Sequence, residues 1–277
     1  MKKVNLIIDV ARCHDCNNCF ISCKDEHWDN DHSPIAVSTP RLGHRWMDIL
    51  NIERGQYPLQ DVCYLPKPCM HCEDAPCIRA SRDGAVYRRE DGIVIIDPVK
   101  AQGQKEIVDS CPYRAIYWND EKAIAQKCTM CAHLLDKGWA QPRCSHSCAT
   151  GAMEFALLED LEMEKRVAEE KLEHFHPEYQ TRPRVWYKNL YRFTKCHIAG
   201  SVAIHYGLEC AVDAKVTVTH VATQATWSTR TNNYGNFKLD GFDRDSGDYQ
   251  IEAEHTGITK ACVIRLKESL NIGVIHL

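Results

Sequence analysis

The chain has 277 residues, enough for one large domain or two ordinary ones, with sixteen cysteines, a formal net charge of −4 and a pI near 6.4. That balance offers no basic surface for nucleic acid, and no stretch approaches the roughly 20 apolar residues of a membrane span. Most cysteines crowd between residues 13 and 148 at metal-ligand spacing behind an N-terminus without a secretory signal, which points to a reducing compartment, the cytoplasm, rather than to a disulfide scaffold.

Residues 4–9 (VNLIID) read as a strand leading into the run Cys13-x2-Cys16-x2-Cys19-x3-Cys23. Three thiolates at two-residue spacing wrap three corners of an Fe4S4 cube, while the fourth points away to ligate a different cluster, so the run requires a partner. Zinc is the alternative reading of paired CxxC elements, and it asks for four N/S ligands in a tetrahedron. Residues 24–68 form a long insertion with Trp28 and Trp46, aromatics that with neighbouring arginines suit either an interface centre or packing on their own domain. Next comes Cys69-x2-Cys72-x4-Cys77, with the non-ligand Ser81 in the fourth place. Residues 85–88 and 93–96 read as a hairpin about Asp91-Gly92.

Residues 92–97 (GIVIID) repeat the first strand and its terminal Asp. Counting on from Asp97 puts Ala101, Gln104 and Ile107 in the places of Cys13, Cys16 and Cys19, while Cys111 keeps the place of Cys23. A second hairpin, 115–118 with 123–125, flanks Asn119-Asp120. The last run, Cys128-x2-Cys131-x12-Cys144, is followed by Cys148, in the place that Ser81 holds after the second run. His14, His71 and His133 adjoin ligands and are expected to support them or face solvent, not to bind metal. Residues 153–174 read as an amphipathic helix (Phe155, Leu158, Leu161, Val167, Leu172), ended by Pro177 and Pro183 and followed by the aromatic-cationic strip 184–193. From Cys196 to the end, β-branched runs punctuated by Gly, Asn and Asp predict about seven strands of a small sandwich or barrel, with Cys210 and Cys262 as buried thiols.

The missing ligand places number four (Ser81, Ala101, Gln104 and Ile107), which is one cluster. If the fourth residue of each run completes its partner's cluster, Cys111 must complete Cys69, Cys72 and Cys77. By elimination Cys148 completes Cys13, Cys16 and Cys19, and Cys23 completes Cys128, Cys131 and Cys144. Three full Fe4S4 sets use twelve cysteines and leave Cys63, Cys196, Cys210 and Cys262 over.

Four such runs resemble the electron-transfer subunits of molybdopterin oxidoreductases, the polyferredoxin partners of the dimethyl sulfoxide reductase superfamily. Within that family, the stretches 13–20, 43–47, 126–136 and 187–193 are similar to small subunits that serve polyphenol (pyrogallol–phloroglucinol) transhydroxylation. The resemblance covers essentially the whole chain. It implies an α+β architecture: a double ferredoxin-like iron–sulfur domain at 1–195, then a small transthyretin-like all-β domain at 196–277. It also implies a large catalytic partner holding a molybdenum bis-pterin guanine dinucleotide and the phenol site, with no substrate residue in this chain. In membrane-linked relatives the cluster on the third run passes electrons to a quinone-linked anchor. Here its ligands are gone, so no membrane anchor is expected and a redox-neutral hydroxyl transfer fits. The alternatives are the same subunit role in a reductive dehydroxylase or a phenol hydroxylase, and a free polyferredoxin carrier.

Overall fold

A computed structural model describes residues 1–277, with every side chain but that of Tyr206. Two compact units divide the chain: residues 1–50 with 64–190, and residues 51–63 with 191–277.

In the first unit, β1 (Lys3–Asp9) is buried from Val4 to Ile8 on both faces, which is why its residues there are apolar but for Asn5. The first cysteine run then enters α1 (Asn18–His27), so the helix carries into the insertion before the chain turns out to β2 (Met47–Arg54) and β3 (Asp61–Pro68), a paired hairpin. Beyond the short α2 (Pro76–Ala80), both expected hairpins are present. They are β4 (Val86–Arg88) with β5 (Val94–Ile96), and β6 (Ile116–Asn119) with β7 (Ile124–Lys127), separated by α3 (Glu106–Asp109). The one-turn helices α4 (Ala132–Leu135) and α5 (Arg143–His146) carry the last run.

The helix expected over 153–174 begins later. Residues Met153–Leu158 are instead a strand, β8, antiparallel to β1, and α6 spans only Asp160–Glu170. Met153 and Ala156 are buried and Glu154 is exposed, so pairing to the open edge of β1 overrides the helical spacing of Phe155 and Leu158. A reciprocal cap of Glu159 and Glu162 fixes the helix start. Leu161 is left outside, and Met163 and Leu172 form the buried stripe with Ile7. Finally β9 (Val185–Lys188) adds parallel to the other edge of β1.

The second unit follows α7 (Tyr191–Thr194) with β10 (Cys196–Ile204), β11 (Glu209–Cys210), β12 (Lys215–His220), β13 (Thr226–Arg230), β14 (Asn236–Phe242), β15 (Gly247–His255), β16 (Ile258–Leu266) and β17 (Leu270–His276). One sheet centres on β10, with β14 and β11 antiparallel to it and β17 parallel. The other runs β13-β12-β15-β16, antiparallel throughout. Ile198, Val202 and Phe237 of the first sheet and Val216, Val218 and Ile251 of the second share one core, so the two sheets form a sandwich. Cys210 and Cys262 are exposed rather than buried: the first lies in a two-residue strand, the second on β16, an edge strand. All sixteen thiols are free.

Candidate metal centres

The cysteine loops share a backbone device. In each run the residue before the second cysteine has positive φ: Asp15 (52°), His71 (45°) and Met130 (53°). A left-handed residue turns the chain tightly enough for thiols two apart to face the same way and brings successive N–H groups inward. The vacated run keeps the turn without its cysteines, because Gly103, between Ala101 and Gln104 at the same place, has φ 76°.

The structure brings together each group of four thiols singled out above. Cys13, Cys16, Cys19 and Cys148 line one recess with Ile49 and Met153. Cys69, Cys72, Cys77 and Cys111 line another with Val94 and Ile116. Cys23 on α1 is buried against Cys128, Cys131 and Cys144; burial first, and then these facing thiols, push its pKa well up. Burial likewise raises Cys19, Cys72 and Cys131 to about 12 and Cys77 and Cys128 to about 11. Cys148 shifts the other way. Although burial raises it, the Thr150 hydroxyl and backbone N–H groups of Met153, Ala152 and Thr150 bring its thiol below the ordinary value. Burial thus favours the neutral thiols and disfavours four bare thiolates side by side; a cationic iron core would take all four as thiolates.

The three groups stand in a row. Cys23 also faces Cys19, and Cys128 faces Cys69, whose backbone N–H points to the Cys128 sulfur. The group of Cys23, Cys128, Cys131 and Cys144 is therefore in the middle. The group of Cys13 is at the surface end, where Cys16 is exposed, whereas Cys69, Cys72 and Cys77 are buried.

His71 lines the recess of Cys69 and is fully buried. Its Nδ1 accepts from the Val94 N–H at 3.1 Å, which puts the ring proton on Nε2, and Nε2 has no partner. Burial, then the charge of Lys127, hold the ring neutral. An orphaned donor at the wall of a four-thiol recess suits a cluster sulfide as acceptor. His133 Nε2 lies 3.0 Å from Glu26 Oε1, and His14 is exposed.

The four places without cysteine are built as ordinary protein. Ala101, Gln104 and Ile107 are buried. Gln104 bonds across to the backbone of Arg82, accepting from its N–H at 2.8 Å, and donates to the Lys100 carbonyl at 2.8 Å. Ser81 donates to the Ile78 carbonyl and accepts from the Val86 N–H. Sequence reasoning passed over Lys127, which is buried at 2% exposure beside Cys128; only its place next to a ligand could have marked it.

Residues 60–158 match the family described as a 4Fe-4S dicluster domain. Over the full length of both chains, this one is 47% identical to the pyrogallol hydroxytransferase small subunit of Pelobacter acidigallici. It is 30% identical to a putative dimethyl sulfoxide reductase iron–sulfur subunit of Halobacterium salinarum, over 68% of this chain and 80% of that one. It is 33% identical to a subunit of the tetrathionate reductase of Salmonella typhimurium, over 67% and 72%. The chain therefore belongs to the dimethyl sulfoxide reductase-type iron–sulfur subunit family, as a relative of the pyrogallol hydroxytransferase small subunit.

Proposed function

We propose that this chain is the redox subunit of a molybdenum enzyme that moves a hydroxyl group between polyphenols of the pyrogallol and phloroglucinol kind. The observation that carries the reading is full-length identity of 47% to the pyrogallol hydroxytransferase small subunit. Three four-thiol groups in a row, with the fourth place filled by side chains, support it.

Cys13, Cys16, Cys19 and Cys148 would hold one 4Fe-4S group, Cys23, Cys128, Cys131 and Cys144 a second, and Cys69, Cys72, Cys77 and Cys111 a third. Bound there, such groups supply one-electron donors and acceptors. The chain's own part is to fix the thiolates, to aim N–H groups such as those of Met130 and Ala115 at the sulfurs of Cys128 and Cys111 (3.3 and 3.5 Å), and to keep water from the two inner groups. The exposed Cys16 end is the natural face for a large catalytic partner, which in this reading holds molybdenum bis-pterin guanine dinucleotide and the phenol. We place the complex in the cytoplasm, on its free thiols at metal spacing. Among the described residues no helix is long and apolar enough to cross a membrane. The C-terminal sandwich we read as a transthyretin-like module with a structural or docking role.

Hydroxyl transfer between two polyphenols consumes no net electrons, and a row that ends in packed protein suits it. The test is to assay the co-purified complex on a polyphenol pair with no electron donor or acceptor. Sustained turnover is expected. Strict dependence on a stoichiometric reductant or oxidant would overturn this reading in favour of a dehydroxylase or hydroxylase.

A further inference from the structure

A lysine side chain buried to 2% exposure normally finds a carboxylate, because an unpaired ammonium away from water is costly. Lys127 has none among the described residues. Its Nζ donates to two main-chain carbonyls, that of Val94 and, at 3.1 Å, that of Cys128. Val94 lines the recess of Cys69, Cys72, Cys77 and Cys111, and Cys128 belongs to the middle group. The strands responsible are β5, which contributes Val94, and β7, which ends at Lys127 and delivers it into the gap between the two groups. Its charge bears on thiols of both, Cys77 and Cys111 on one side and Cys128 on the other. The Cys13 group lies beyond the middle one and touches neither carbonyl.

We propose that Lys127 is the fixed counter-charge of the two inner centres and makes them the electron sink of the chain. The inference rests on the three-centre reading above. Reduction of a buried cluster by one electron adds a negative charge where little solvent can respond, and a nearby ammonium favours that reduced form. One electron leaving the surface centre is thereby drawn to the middle centre or the innermost one and held there. With no further centre beyond, the pair stores electrons for return to the partner instead of conducting them onward. His71, neutral and with its Nε2 proton free, adds a donor on the innermost side only.

The experiment is an EPR-monitored reductive titration of the whole complex carrying wild-type, Lys127→Gln or Lys127→Arg chains, with iron counted in each. At full iron content, Gln should lower the midpoints of two of the three centres by about tenfold or more in the reduction equilibrium, about 59 mV for one electron, and leave the third in place. Arg, which keeps the charge, should restore most of the shift. No shift, or an equal shift of all three, overturns the proposal, since a merely structural lysine would move no potential selectively. Should the Gln chain lose iron, the wild-type titration decides. Two mutually coupled centres reducing before the third support the sink, and the surface centre reducing first overturns it. Fewer than about twelve iron in the wild-type chain would instead sink the three-centre reading itself.

Discussion

Cys111 lies 34 residues from Cys77 along the chain, yet both line one recess with Cys69 and Cys72. Changing Cys111 to Ser should therefore remove the innermost centre and leave the other two, lowering iron from about twelve to about eight per chain. EPR showing loss of the surface centre instead would refute the pairing. The thiols outside these groups should behave oppositely. Cys63 and Cys196 are 2% and 1% exposed, so replacing either by Ala should cost about 1 kcal/mol of stability with iron unchanged. Cys210 and Cys262 are exposed and should be the first thiols alkylated in the native protein, as peptide mapping would show. Spacing in the sequence separated the thiols that the structure gathers in fours from the spare ones. It could not tell exposed spare thiols from buried ones, because that depends on which strand ends up at a sheet edge.

At the scale of elements, the tip of the β2–β3 hairpin is held within the second unit by a buried arginine. Arg54 donates twice to Asp240 (2.9 and 3.0 Å) and once to Asp61 (2.5 Å), and Asp61 also accepts from Lys238 at 2.7 Å. Removing one partner of a buried pair strands the rest, so Arg54→Ala should destabilise this unit by about 3–5 kcal/mol in denaturant melts. Nearby, His197 is fully buried with both ring nitrogens unpartnered. Burial, then the charges of Lys238 and Arg54, push its pKa down to about 4. An unfolded histidine titrates near 6.5, so the unfolded chain binds the proton first as pH falls. The stability from a neutral His197 is complete above about pH 6.5 and is lost between there and about 4, on the order of 3 kcal/mol in all. His197→Phe should flatten the fall in melting temperature from pH 7 to pH 5; identical slopes would exonerate the ring. Gly55 sits against that ring with φ 79°, and a Cβ there would come 2.6 Å from Nε2, so the turn admits no side chain without displacing the ring.

For the whole molecule, the grouping of the thiols in fours was legible because cysteine spacing leaves a record in one dimension, with the fourth residue of a run placed in another run's group. Short β-branched runs punctuated by turn residues likewise showed the hairpins and most strands of the sandwich. What stayed hidden depends on distant partners. Residues 153–158 satisfy a helical spacing and become a strand only because β1 offers an open edge, and Lys127 looks like any surface lysine until β5 and β7 meet around it. The vacated fourth site joins the two kinds of information. Its missing cysteines are read directly, while its geometry shows that Gly103 keeps the ligand-loop turn and that Ala101, Ile107 and Gln104 fill the space with apolar contact and hydrogen bonds. A loop that retained its shape and lost its donors has no way to hold a fourth cube, and no spare cysteine lies at those four places. Anaerobically purified protein should therefore contain about twelve iron and about twelve acid-labile sulfide per chain, with negligible zinc. Sixteen iron would mean that other residues complete a fourth centre, and stoichiometric zinc would return the paired CxxC elements to a structural role.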